Sequence, residues 1–260
     1  MEFYLKDKVV VITGGSSGIG KAVADGFAKE GAKIAICGRD PIKLASVFNE
    51  FETSGYDLLT KTIDVRNVTE LENLASCVVE KYGKIDVWIN NAGMNFRKPF
   101  NELTEVEWDI LVETNLKSVY YGSSIAASHM KKTGSGVIIN TSSFTSLTPT
   151  GGLALYSATK AATNSLTQTL ATELAGYGIR VVGIIPGYII TALTEKNAAL
   201  NYDSLISSIP MKRLGVPEDL VPAYLFLASD LSSYITGINL SVAGGKLTTQ
   251  NPHWGWDQMV

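Results

Sequence analysis

The sequence predicts an α/β protein: one doubly wound parallel sheet with helices on both faces. Three observations carry that prediction. Short β-type runs alternate with helical patterns along most of the 260 residues. Each run is nearly continuously apolar, as strands covered on both faces are. A glycine-rich turn follows the first run and opens a helix, which suits close approach to a pyrophosphate.

Lys8 to Ile12 reads as the first strand. Gly18 to Glu30 reads as a helix, with Ile19, Val23 and Phe27 spaced along one stripe. Ile34 to Cys37 is the second strand, and a helix opens near Asp40-Pro41, where proline suits the first turn. Leu58 to Ile63, Val87 to Ile89, Val137 to Asn140 and Val181 to Ile185 repeat the strand signal. Helical patterns at Thr69 to Tyr82, Glu105 to His129 and Tyr156 to Ala175 separate them. No linker, repeat or low-complexity segment interrupts the series, so residues 1–247 are expected to form one domain and 248–260 a tail.

Composition excludes several classes of function. Hydrophobic residues make up 45% and charged residues 18%, an ordinary globular balance. The net charge of −3 offers no basic footprint for nucleic acid. Nothing approaches the roughly 18 consecutive apolar residues of a membrane span. The N-terminus, with acidic residues running straight into a strand, does not read as a signal peptide. Cys37 and Cys77 sit in apolar periodic segments and read as reduced core thiols, so the cytoplasm is the expected compartment. His129 and His253 are too few and too far apart for a metal site.

Two stretches carry chemistry. The first is Thr13-Gly14-Gly15-Ser16-Ser17-Gly18-Ile19-Gly20. As a P-loop it fails, because Ala22 stands where a hydroxyl must hold Mg²⁺. As a nucleophile elbow centred on Ser16 it needs a later acid and a histidine, and histidines are scarce. The remaining pattern, Thr-Gly-x-x-x-Gly-x-Gly, is complete. The second stretch is Tyr156-Ser157-Ala158-Thr159-Lys160, whose ends share a helix face one turn apart. A phenol beside an ammonium ionises more easily, so Tyr156 is expected to have a lowered pKa and to move protons near neutral pH.

Taken with Asn90-Asn91-Ala92-Gly93, Ser142-Ser143 and Pro186-Gly187-Tyr188-Ile189-Ile190-Thr191, these motifs resemble those of the short-chain dehydrogenase/reductase family. The resemblance runs from Lys8 to Gly245. It implies a Rossmann-type fold and hydride transfer between a nicotinamide and a ketone or secondary alcohol. It further implies that Tyr156 is the general acid/base, that Lys160 lowers its pKa and binds the ribose, that Ser143 holds the substrate oxygen and that Asn115 fixes a proton-relaying water. Gly14, Ser16, Ser17, Gly18, Ile19, Gly20, Asp64, Val65, Asn91, Ala92, Gly93, Pro186, Gly187, Ile189 and Thr191 would contact the cofactor.

Cofactor choice turns on Gly38-Arg39-Asp40 at the end of the second strand. Gly38 occupies the family's usual acidic position, and a guanidinium at Arg39 suits a 2′-phosphate, so NADP is expected rather than NAD. Asp40 could instead serve as a helix N-cap. Residues 188–212 correspond to the family's variable lid, with Tyr188, Leu193, Tyr202, Leu205 and Ile209 as an apolar and aromatic lining. Arg97-Lys98-Pro99-Phe100 is similar to the same stretch in gluconate 5-dehydrogenase-like members, and Arg97 or Lys98 would then meet a substrate carboxylate. A 3-oxoacyl thioester or another carbonyl compound is open as well.

The close of the chain both matches and departs. Ile235-Thr236-Gly237 fits the family, whereas Ala243 replaces the acid of its Val-Asp-Gly-Gly. A homotetramer is expected by resemblance, with the tryptophans Trp254 and Trp256 of the tail packed on a neighbouring subunit. The alternative from another class is a non-catalytic NADP(H)-sensing or regulatory protein on the same fold. The set Asn115, Ser143, Tyr156 and Lys160 counts against it, because a sensor has no need of proton chemistry.

Overall fold

The structure is a computed structural model that describes residues 3–248, 250–257 and 259. Among these residues seven strands form a single parallel sheet: β1 (Val9–Thr13), β2 (Lys33–Gly38), β3 (Leu58–Thr62), β4 (Val87–Asn90), β5 (Gly136–Thr141), β6 (Ile179–Pro186) and β7 (Asn239–Val242). Their spatial order is β3-β2-β1-β4-β5-β6-β7. β1 pairs with β2 on one side and β4 on the other, so the winding reverses between β1 and β4 and a crevice opens at their C-terminal ends.

Side-chain alternation decides the two faces. In β1, Val10 and Ile12 point to one side and pack with Phe27 of α1 (Gly18–Lys29) and with Tyr224 of the later helix Val221–Ala228. Val9 and Val11 point to the other side, toward Leu74 of the helix Val68–Tyr82 and Ala126 of the helix Ser118–Thr133. A buried polar chain ties the second layer together. The Trp88 indole donates to Asn90 Oδ1 at 2.8 Å, Asn90 Nδ2 donates to Asn140 Oδ1 at 2.8 Å, and Asn140 Nδ2 donates to Thr167 at 3.0 Å. Every buried amide there finds a partner, which fixes the register of β4 against β5.

Six of the strands match the sequence prediction to within about two residues. β7 was not anticipated. Its Asn-Leu-Ser-Val is only half buried, because an edge strand has one neighbour and needs no continuous apolar run. The helix expected over Glu105 to His129 is instead α4 (Glu105–Val112), a π-helical stretch Glu113–Lys117, and α5 (Ser118–Thr133). A π-bulge of this kind shifts the hydrogen-bond ladder and is common at functional sites. The helix Ala154–Ala175 is α6, and two further helices, α7 (Glu195–Ile206) and α8 (Val221–Ala228), follow β6. α8 escaped prediction because Val-Pro-Ala-Tyr-Leu-Phe-Leu-Ala is apolar on every side and shows no helical period. Cys37 is buried in β2 as expected, whereas Cys77 is only partly covered. No described helix is long and apolar enough to cross a membrane.

Candidate active site

Where the winding reverses, the loops after the strands enclose a cleft of about 1430 Å³. Its first wall is the glycine-rich turn. Gly14 and Gly18 adopt φ of +67° and +51°, which side chains disfavour. A Cβ on Gly15 would lie 2.5 Å from Ile36 Cγ2. α1 starts at Gly18 with no side-chain cap from Ser17 and no acid in its first turn, so its leading N–H groups are left for an anion. Ser16, Ser17, Gly18 and Ile19 line the cleft. Gly20 does not. A Cβ there would stand 2.3 Å from the Gly14 carbonyl, so its task is to let helix and turn close together.

Thr13 stitches this turn to the next. Its hydroxyl accepts from the Asn91 and Ala92 N–H groups, each at 3.0 Å, while Asn91 Nδ2 donates to the Thr13 carbonyl at 3.0 Å. Asn91, Ala92 and Gly93 thereby face the cleft beside Gly14. These carved, close-approach surfaces fit a dinucleotide.

At the far end of the cleft, Arg39 is exposed and makes no ion pair among the described residues. Asp40 is a helix cap, accepting from Ile42 N at 2.9 Å and Lys43 N at 3.2 Å. A Cβ on Gly38 would meet Ser16 Oγ at 2.9 Å, so an acid at that position would crowd the turn. Asp64 and Val65 line the cleft, and Arg66 grips the Asp64 carboxylate at 2.6–3.1 Å. That hydrogen-bonded guanidinium, assisted by the charge of Arg39, holds Asp64 below the usual carboxylate range.

Tyr156 and Lys160 face the cleft from α6, opposite Ser143 after β5. Lys160 is 3% exposed, and its ammonium donates to the Thr141 carbonyl at 2.8 Å. Burial pushes this lysine down to about 8. The Tyr156 phenol departs from expectation: burial raises its pKa, and a hydrogen bond from Ser143 pulls only part of the way back. The ammonium, 5.9 Å from the ring centre and turned toward Thr141, does not reverse that. Ser143 is set by its own loop, where Thr145 N–H and hydroxyl both donate to its Oγ, at 3.3 and 3.1 Å.

Asn115, expected to fix a proton-relaying water, lies one layer behind the cleft wall, fully buried in the π-helical stretch. Its amide clamps one residue from both sides: Met94 N–H donates to Oδ1 at 2.9 Å and Nδ2 donates to the Met94 carbonyl at 2.8 Å. The side chain therefore shapes the segment after Gly93, and its Nδ2 also reaches the Thr159 hydroxyl at 3.5 Å.

On the remaining wall, Pro186 ends β6, and Gly187, Tyr188, Ile189 and Thr191 lead on into the lid. The Tyr188 hydroxyl accepts a hydrogen bond from Asn197 Nδ2. Leu193 and Leu205 line the cleft as expected. Tyr202 is 44% exposed and off the wall, because α7 turns it outward, and Ile209 is buried with Ala198 and Leu214 instead. Arg97 faces the cleft, whereas Lys98 is tied to Glu107 at 2.5 Å. Sequence reading missed Phe144, Leu153 and Lys246, all on the wall. Lys246 follows two glycines in left-handed conformation that bring it back over the cleft, a path no local pattern announces.

Comparisons with known proteins agree with this geometry. A family model described as short chain dehydrogenase matches residues 8–201. The chain is 37% identical over 241 residues to the 3-oxoacyl-acyl-carrier-protein reductase of Thermotoga maritima, covering 93% of this chain and 98% of the relative. It is 36% identical over 245 residues to gluconate 5-dehydrogenase of Gluconobacter oxydans, covering 94% and 96%. A short-chain type dehydrogenase/reductase from Mycobacterium marinum superposes with a TM-score of 0.90 at 34% identity, over 95% of this chain and 98% of that one. A protein from Beutenbergia cavernae, solved with NADP bound at low occupancy, superposes at 0.89 and 34% identity, over 96% and 100%. The non-catalytic alternative finds no support among these relatives.

Proposed function

Because the chain belongs to the short-chain dehydrogenase family, we propose that it transfers a hydride between NADP(H) and a ketone or secondary alcohol, with Tyr156 as the general acid/base. The observation that carries this reading is the half-buried Tyr156 phenol, hydrogen-bonded by Ser143 and one turn from the buried Lys160 ammonium, all three lining the cleft.

The nicotinamide, when bound, supplies or accepts the hydride. The protein manages the proton. In reduction Tyr156 donates its phenolic proton to the substrate oxygen, and in oxidation it takes the proton back. Lys160 stabilises the phenolate by charge, and Ser143 offers a neutral donor where negative charge grows on oxygen. Gly14, Ser16, Ser17, Gly18, Ile19, Asn91, Ala92, Gly93, Pro186, Gly187, Ile189 and Thr191 would hold the dinucleotide, with Asp64 and Val65 at its adenine.

Preference for NADP over NAD is supported by Arg39, which makes no ion pair among the described residues, by the crowding at Gly38 and by the capping role of Asp40. The Beutenbergia relative with NADP points the same way. For substrate, Arg97 on the cleft wall suits a keto sugar acid, in keeping with the Gluconobacter relative, and a 3-oxoacyl thioester follows from the Thermotoga one. A homotetramer is supported by Trp108, Tyr120 and Tyr121, large aromatic residues left exposed on α4 and α5.

Oxidation of NADPH and NADH across a panel of ketones tests the reading. The panel holds a 5-keto sugar acid, a 3-oxoacyl thioester, a steroid ketone and a small diketone. Turnover with NADPH above NADH is the expected result. Failure to bind either nucleotide would overturn it.

A further inference from the structure

Charge on the cleft wall is distributed unevenly. Its acidic residues are Asp40 and Asp64, and both are occupied, one in capping α2 (Pro41–Thr53) and one on Arg66. Arg39 and Lys43 stand at that same end, and the rest of the wall contains Arg97, Lys196 and Lys246, besides Lys160, and no carboxylate among the described residues. This excess of cations stands in a protein whose net charge is −3.

Among these cations Lys246 differs in its surroundings. Arg97 and Lys196 are exposed, so water satisfies them. Lys246 is partly buried, with its ammonium 5.1 Å from the centre of the Phe144 ring and bonded to Ser208 Oγ. No carboxylate lies within ion-pair range of it among the described residues. A half-buried ammonium with only a ring face and one hydroxyl is under-compensated, and burial lowers its pKa accordingly. Its position is nevertheless braced. Met211 N–H donates to the Gly244 carbonyl at 3.1 Å, and the Trp256 indole donates to Pro210 at 2.8 Å, so the segment carrying Lys246 is fastened to the end of the lid. Phe144 follows Ser143 directly, which puts the ammonium beside the loop that presents the catalytic serine.

We infer that Lys246 binds a carboxylate on the substrate, so that the enzyme acts on keto or hydroxy acids in preference to their neutral counterparts. The inference rests on the proposed carbonyl reduction and names the substrate class of that same site. A single braced ammonium matches the single charge of a carboxylate, whereas a phosphate dianion calls for several donors. Phe144 and Leu153 supply the apolar wall for the carbon chain.

The test compares kcat/KM with NADPH for short keto acids, their methyl esters and phosphorylated ketones of equal length. Wild type, Lys246→Met and Lys246→Arg are run as full-length protein. The acid-over-ester ratio is expected to fall about 10- to 100-fold in K246M, the loss of one charged hydrogen bond, and to be largely restored in K246R. An unchanged ratio in K246M overturns the inference, and so does a preference for the phosphorylated ketones. A second readout is independent of turnover: thermal stabilisation by hydroxy-acid anions. Stabilisation in wild type that is lost in K246M supports the inference, and its absence in wild type overturns it. If nothing is turned over but acids stabilise through Lys246, the proposed reaction falls while this site stands.

Discussion

The Lys160 ammonium lies 5.9 Å from the centre of the Tyr156 ring, yet its hydrogen bond goes to the Thr141 carbonyl at 2.8 Å. The pair is thus close enough for charge to act on the phenol without a direct bond. Tyr156 stays protonated, held up by burial, until a negative charge on its oxygen is called for. That suits a proton donor to a carbonyl. Replacing Tyr156 by Phe removes the proton and little else, so turnover with NADPH should fall by about 10²–10⁴-fold, the usual worth of a positioned acid. Calorimetric NADPH affinity should change little. Full activity in the variant would remove Tyr156 from the mechanism.

Burial of Lys160 makes a prediction about stability and pH. The folded lysine titrates at about 8 against an ordinary 10.5. Below about 8 both folded and unfolded chains carry the proton, and the penalty of burying the charge is fully expressed. From about 8 upward the unfolded chain binds more protons than the folded one, so stability rises with pH. Tyr156, whose pKa is raised, acts in the opposite sense above its ordinary 10.0. Cys37, pushed up by burial from an ordinary 9.0 to about 12, does the same above its ordinary value, so the clean window is pH 8 to 9. Wild-type Tm should gain on that of Lys160→Met across this window. Parallel curves would show that the ammonium is solvated.

Asn115 spends both ends of its amide on Met94, at 2.9 and 2.8 Å. Truncation to Ala strands a backbone donor and acceptor in a partly buried setting. The expected loss is about 1–3 kcal/mol in denaturant unfolding, the desolvation penalty of unpaired groups. Because Met94 lines the cleft, kcat/KM should fall too. An unchanged unfolding midpoint would mean that water replaces the amide.

Arg39 stands just after β2 with no acid paired to it among the described residues, and Asp40 is busy as a cap. Arg39→Asp removes a guanidinium and adds a repulsive charge where a 2′-phosphate would lie. The ratio of kcat/KM for NADPH over NADH should drop by roughly 10- to 100-fold, the worth of one charged hydrogen bond. A ratio that stays put would assign discrimination to Lys43, the other cation on that wall.

These residues also mark what the chain announces about itself. The strands after which Gly14, Asn91, Ser143 and Gly187 sit are apolar runs, and buried parallel strands leave that signature whatever surrounds them. The Tyr156–Lys160 pair is legible because one helical turn sets it. What stayed hidden depends on contacts distant in sequence. The clamp of Asn115 on Met94 depends on the π-helical stretch that carries its amide. Lys246 reaches the cleft only through the packing of Gly244 and Gly245 against the lid at Ile209 and Pro210. Tyr202 reads as a lining residue, but α7 carries a kink at Asn201, and the ring beside it faces outward.

The tail offers the last test. Its two tryptophans suggested packing on a neighbouring subunit, and the side chain of Trp254 lies outside the described residues. Trp256 is 49% exposed, and its indole N–H donates to Pro210 within the same chain. Pro210 in turn abuts Gly245, where a Cβ would come within 2.8 Å of its ring. The tail therefore acts as a strap across the end of the lid. Trp256→Phe keeps a ring and removes the hydrogen bond, so KM for the carbonyl substrate should rise roughly 2- to 10-fold, the net worth of one such bond, with kcat little altered. A chain ending at Lys246 should show at least that increase while keeping its mass in light scattering. If the shortened chain instead dissociates with KM unchanged, the strap belongs to the subunit interface and not to the lid.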